Sequence, residues 1–286
     1  EDMDLWRRNK MASKISKERT ISSVILVIIA LATILPGGPI LAVTLYLISN
    51  VAFLELTKAC GIHTGKKLNA LEITGMLAIA AYYLLIFFAQ THTYFMITVI
   101  LLLMALMFVY VFAFPKYTAN QVIATYFSLI YAPVMLSFIF LTRELEYGVY
   151  LVWMIFISSW ISDTCAYLVG VLMGKHKLVP QLSPKKTIEG SIGGILGSAL
   201  VGALFGFFLL DKTFGVNQFG VMLAIIGAIG SVISQVGDLA ASAIKRNHDI
   251  KDYGNLIPGH GGIMDRFDSV IFTAPMIYFL VIIFLR

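Results

Sequence analysis

Charge and cysteine are the two things this chain has least of. Only 13% of its 286 residues are Asp, Glu, Lys or Arg, where a soluble domain carries about a quarter. Hydrophobic residues make up 59% and mean hydropathy is +0.87, which excludes an ordinary soluble globular domain. With only two cysteines, Cys60 and Cys165, neither a disulfide framework nor a thiolate metal centre is available, so any metal has to sit on oxygen ligands. No soluble module exists to hold a duplex, so the formal charge of +5 does not point to nucleic acid. Anionic lipid and nucleotide phosphates suit it better. There is no internal repeat, and no small-residue cleavage site follows the first apolar stretch, which is therefore expected to be a retained anchor.

What the chain does have is long apolar runs. A helix needs about 20 apolar residues to cross a bilayer, and nine stretches qualify as candidates, roughly 20–35, 38–57, 70–90, 93–114, 119–141, 148–173, 190–210, 216–244 and 268–285. The expected fold is all-α: a polytopic integral membrane protein with about nine transmembrane helices. Lys and Arg near helix ends stay in the cytoplasm. With nine spans, eighteen of the 21 basic residues fall on the side of the N-terminal arm, which carries Arg7, Arg8, Lys10, Lys14, Lys17 and Arg19. Only Arg143, Lys212 and Arg286 fall opposite, so the N-terminus is expected in the cytoplasm.

Composition divides the chain into a cytoplasmic arm (1–19), a bland membrane scaffold of five spans (20–145) and a C-terminal catalytic membrane domain (146–286). Within the scaffold, Glu55 and Glu72 read as helix-end charges at the interface, which is a cheap place for them. From Ser158 onward polar residues enter the apolar stretches. Ser159, Ser162, Asp163, Ala166 and Gly170 share one face of the sixth span. An Asp at bilayer depth costs about 2.5–3.5 kcal/mol, so Asp163 is a functional candidate. The eighth span carries a longer polar seam of Ser231, Ser234, Gln235, Asp238, Ser242, Lys245 and Arg246. Such a seam must face protein or water and is expected to line a cavity shared with Asp163. Glycines 190, 193, 194, 197, 202 and 206 of the seventh span read as close helix packing.

Two cytoplasmic loops hold the remaining candidates. In Ser183-Pro184-Lys185-Lys186-Thr187-Ile188-Glu189-Gly190, Ser183 or Thr187 is placed to cap the seventh span, with Lys185 and Lys186 where a helix N-terminus already favours an anion. A phosphate cradle and a loop that only sets topology both fit those lysines. The last loop runs from Ser242 through Lys245, Arg246, Lys251, Asp252, Gly254, Pro258, Gly259, His260, Gly261 and Gly262 to Asp265, Arg266 and Asp268. Its glycine-rich turn leaves backbone N–H groups free for phosphate oxygens. Asp265 and Asp268 share one face at the start of the ninth span. Mg²⁺ needs only one or two carboxylates, with phosphate and water completing its six oxygens, and Asp238 and Asp265 are the expected ligands. His260 suits a phosphate hydrogen bond or a turn better than a metal. Arg266 fits either a structural role or a phosphate clamp.

The pattern S-x-x-K-R-x4-K-D-x-G-x3-P-G-H-G-G-x-x-D-R-x-D over residues 242–268, with Asp163 and the 183–190 motif, resembles the phosphatidate cytidylyltransferases, or CDP-diacylglycerol synthases. The resemblance implies a helical membrane enzyme, a dimer, in a bacterial-type inner membrane with its site facing the cytoplasm. It implies that CTP and phosphatidate give CDP-diacylglycerol and pyrophosphate with Mg²⁺, alongside a second cation such as K⁺. Carried onto this sequence, Asp238 and Asp265 hold metal, and Lys185, Lys186, Lys245, Arg246 and Lys251 hold phosphates. Asp163, Ser183, Glu189, Asp252, His260, Gly261, Gly262, Arg266 and Asp268 contact cations or nucleotide. Two rival readings are a CTP-dependent lipid kinase and a transporter that uses Asp163 and Asp238 as a relay. Clustering of the carboxylates toward one face beside a basic loop weighs against transport.

Overall fold

The computed structural model describes residues 22, 24–63, 65, 67–89, 93–257 and 261–285. The basic arm up to Arg19, Lys66, the turn Pro258-Gly259-His260 and Arg286 lie outside the described residues. Nine helices follow in order among the described residues: α1 (Val24–Ile34), α2 (Gly38–Ala59), α3 (Ala70–Ala89), α4 (Thr93–Phe112), α5 (Ala119–Arg143), α6 (Gly148–Met173), α7 (Ile188–Phe214), α8 (Phe219–Asn247) and α9 (Met264–Leu285). Seven of them, α2, α3 and α5 to α9, are long and apolar enough to cross a membrane. The described apolar lengths of α1 and α4, Val24–Ile34 and Met96–Phe112, are shorter. The nine apolar stretches read from the sequence therefore all hold helix, but only seven reach spanning length among the described residues. The protein is a multi-pass membrane protein.

Local chemistry explains where the helices start. Pro39 opens α2 at a position where a missing N–H costs nothing. Asn69 and Glu72 exchange backbone and side-chain hydrogen bonds of 2.9 and 3.0 Å at the start of α3, as do Thr118 and Gln121 at α5. Asp211 accepts the N–H groups of Gln218, Phe219 and Gly220 and so caps α8. Glu72 stands at the helix end, as the sequence suggested, and is a fully buried anchor there that also takes His63 Nδ1 at 2.8 Å. Arg143 donates to the carbonyls of Ile34 and Leu35 and closes the end of α1.

Helices α5, α6 and α7 each contain a π turn, at Ile130–Val134, Ile157–Ile161 and Gly206–Asp211. The glycines of α7 do pack closely: a Cβ on Gly193 would lie 2.5 Å from Val169, and one on Gly202 would lie 2.5 Å from the Leu223 carbonyl. They bring α6, α7 and α8 together as backbone surfaces. Between α6 and α7 a short antiparallel hairpin, β1 (Lys177–Val179) with β2 (Ser183–Thr187), pairs Lys177 with Thr187 and Val179 with Ser183. The end of the bundle bearing this hairpin, the close of α8 and the opening of α9 carries the polar residues that matter for function.

Candidate active site

The seam of α8 is split between two tasks. Its deeper part is packing: Ser231 and Ser162 share a hydrogen bond of 2.6 Å, Ser191 bonds Gln235, and Ser159 donates to Thr273 at 3.2 Å. Ser159, Ser162, Ser231 and Ser234 are fully buried, so these serines do not line the cavity expected from their spacing. Further along, Asp238 and Gln235 open onto a cavity of about 490 Å³ that is also lined by Asp163, Lys177, Lys185 and Lys186.

A second cavity, of about 660 Å³, adjoins the first at Asp163, which lines both. Its walls are apolar, with Ile29, Leu41, Leu45, Ile139, Phe156 and Trp160, while Asp265, Arg266 and Asp268 stand at its polar end. Asp163 and Asp238 thus share the first, lysine-lined cavity, as their spacing suggested; the second, mostly apolar one is additional.

Each of the two aspartates expected to bind metal is held by a lysine. Asp238 forms an ion pair with Lys186, and Asp265 Oδ1 accepts Lys245 Nζ at 2.9 Å. Asp265 Oδ2 accepts the N–H groups of Tyr253 at 2.8 Å and Gly262 at 3.0 Å. Asp265 therefore anchors the loop between α8 and α9 as well as its lysine. Gly261 follows at φ +82° with its Cα against Asp265; a Cβ there would sit 2.8 Å from Oδ2. Tyr253 is buried, its hydroxyl donates to the Ala241 carbonyl at 2.9 Å, and burial raises its pKa, so it stays protonated.

Asp163, Asp238 and Asp268 lie within electrostatic reach of one another. With Asp265 they set four carboxylates among Lys186, Lys245 and Arg266 where the two cavities adjoin. An all-oxygen donor set of this kind suits a hard divalent cation that arrives with phosphate. Among the described residues no group of three or more His, Cys, Asp or Glu side chains is placed to hold a metal ion.

The remaining candidates sort by position. Thr187, not Ser183, caps α7 by accepting the Gly190 N–H at 3.1 Å; Ser183 is paired within the hairpin. Glu189 accepts the N–H groups of Lys175 and His176 and His176 Nδ1 at 2.6 Å, so it clasps the hairpin to α7. Arg246, Lys251 and Asp252 are exposed and belong to the lining of neither cavity. His260 lies outside the described residues.

Two residues escaped the sequence reading. Lys177 reaches the basic cavity because the hairpin folds it back. Glu55, taken as an idle helix-end charge, accepts the N–H groups of Ile263 at 3.1 Å and Met264 at 2.8 Å and so caps α9 from α2. Gly254 and Gly262 lie so close to its carboxylate that a Cβ on either would force the Glu55 side chain to shift. Nothing in the spacing around Glu55 reveals this contact.

Carboxylates, lysines and glycine turns gather around two adjoining cavities, one lysine-lined and one mostly apolar, in a multi-pass membrane protein. The chain belongs to the cytidylyltransferase family, whose model matches residues 17–284, and it is a nucleotidyltransferase. It is 34% identical over 271 residues to the phosphatidate cytidylyltransferase of Staphylococcus aureus, covering 93% of this chain and 99% of that protein. The phosphatidate cytidylyltransferase of Bacillus subtilis is 31% identical over 276 residues, covering 94% and 98%. That of Staphylococcus saprophyticus is 32% identical over 269 residues, covering 93% and 99%.

Proposed function

We propose that this enzyme transfers the cytidylyl group of CTP to phosphatidate, giving CDP-diacylglycerol and pyrophosphate. The observation that carries this reading is the junction at Asp163 of a lysine-lined cavity and an apolar one. A nucleotide triphosphate suits the first, and a lipid whose phosphate lies at Asp265, Arg266 and Asp268 suits the second.

A phosphatidate oxygen attacks the α-phosphorus of CTP, the bond from that phosphorus to the β-phosphate's bridging oxygen breaks, and pyrophosphate leaves with the electron pair. The lipid phosphate is already a nucleophile, so no serine or cysteine is required. The protein's task is positioning and charge neutralisation. Lys185 and Lys186 hold CTP phosphates in the basic cavity, and Arg266 holds the lipid phosphate. Lys245, fixed by Asp265 at the edge of the site, offsets charge that passes to pyrophosphate. Asp238 and Asp265 would hold Mg²⁺, which would supply Lewis-acid neutralisation of the triphosphate. Asp265 also ties the glycine loop through Tyr253 and Gly262, keeping the opening of α9 in place.

In the membrane, we read all nine helices as spans, with the N-terminus and the site on the cytoplasmic face of a bacterial inner membrane and two copies forming a dimer. The excess of basic residues on that face supports the orientation.

The test is product analysis of the purified protein in detergent with CTP, phosphatidate and Mg²⁺. Pyrophosphate and CDP-lipid that depend on added phosphatidate support the reading, whereas CDP and a newly phosphorylated lipid would identify a kinase.

A further inference from the structure

Tyr131 sits on α5, in the half of the chain that composition marks as scaffold. It is the second residue of the π turn Ile130–Val134, which contains Pro133; such turns occur frequently at functional sites. Tyr131 is 5% exposed, and its hydroxyl has no hydrogen-bond partner among the described residues. A buried phenol usually finds one.

The ring is firmly seated, with its centroid 5.1 Å from that of Phe127 and 5.8 Å from that of Phe272. Phe272 lies one helical turn beyond Asp268 on α9, on the same face. Gly237, which precedes Asp238 on α8, packs against that same turn: a Cβ on it would lie 2.8 Å from Phe272 Cβ and 3.1 Å from the Asp268 carbonyl. Tyr131, Asp238 and Asp268 thus share one junction of α5, α8 and α9. Asp268 and Asp238 are the carboxylates that act electrostatically on the phenol, and Tyr253 lies in the same neighbourhood.

We propose that Tyr131 is a positioning residue of the carboxylate centre, its hydroxyl donating the hydrogen bond that orients Asp268 once substrates fill the cavities. This rests on the cytidylyltransferase reading above. It assigns the scaffold half a part in positioning the site: α5 supplies a side-chain donor beside the Ser269 N–H that Asp268 Oδ1 already accepts at 2.7 Å.

The substitution Tyr131→Phe keeps the ring and removes only the hydroxyl. If the phenol were merely packing, losing an unpartnered buried polar group would leave the melting temperature equal or higher and turnover intact. The experiment is a double-mutant cycle of wild type, Tyr131→Phe, Asp268→Asn and the double variant, with melting temperature, CDP-lipid turnover and magnesium–CTP affinity by calorimetry for each. We expect Tyr131→Phe to keep its melting temperature, lose about tenfold or more in kcat and bind magnesium–CTP about threefold or more weakly, with both losses absent in the Asp268→Asn background. Wild-type turnover and affinity in Tyr131→Phe, or losses that persist unchanged beside Asp268→Asn, would overturn the proposal. If the wild-type protein binds magnesium–CTP but forms no CDP-lipid, the cytidylyltransfer reading fails and the affinity cycle alone decides the role of Tyr131.

Discussion

The carboxylate of Glu55 on α2 accepts the backbone N–H of Met264 at 2.8 Å, across 209 residues of chain. One hydrogen-bonded cap ties the scaffold half to the opening of α9, at a residue one position before Asp265 and four before Asp268 of the cytidylyltransferase site. Replacing Glu55 by Ala leaves two N–H groups at a helix N-terminus without their acceptor, at a cost of about 1–3 kcal/mol. A melting temperature several degrees lower, accompanied by reduced turnover and partly restored by Gln, is the expected result in detergent.

Asp265→Asn keeps an acceptor for Tyr253 and Gly262 but leaves Lys245 without its counter-ion in a nearly buried position. Breaking such a pair costs about 3 kcal/mol. Pyrophosphate release should fall at least about a hundredfold, and more steeply than the melting temperature declines. Full activity in this variant would remove Asp265 from the mechanism.

Gly261 and Gly215 both have left-handed backbone, with φ +82° and +69°, yet nothing lies within 4 Å of a Cβ on Gly215, whereas one on Gly261 meets Asp265 Oδ2. Alanine at either position carries the left-handed penalty of about 1–2 kcal/mol. Only Gly261→Ala should reduce turnover as well, because only there does the added carbon displace a carboxylate of the site. Equal turnover in the two variants would argue against that displacement.

The two cavities predict separable kinetics. Lys185→Ala, in the basic cavity, should raise KM for CTP by about tenfold and leave KM for phosphatidate nearly unchanged. Thr44→Trp, which fills part of the apolar cavity, should do the reverse. Steady-state kinetics with each substrate varied in turn in lipid–detergent mixed micelles would reveal any exchange of these roles.

The apolar runs, the asymmetry of the basic residues and the motifs at 183–190 and 242–268 were legible from order along the chain alone. Hydrophobic length and loop charge are local properties, and a chain this apolar has no alternative to membrane helices. The family was legible for the same reason, since its signature is contiguous. Composition could not separate the serines of α6 and α8 that bond one another from the aspartates that face the cavities, because both follow the same helical spacing. Nor could it show that Glu189 clasps a hairpin, that Glu55 caps a helix 209 residues away, or that Tyr131 stands at the carboxylates. Those relationships exist only once helices distant in the chain have packed, because a buried carboxylate or phenol takes its role from whichever donors and charges packing brings to it.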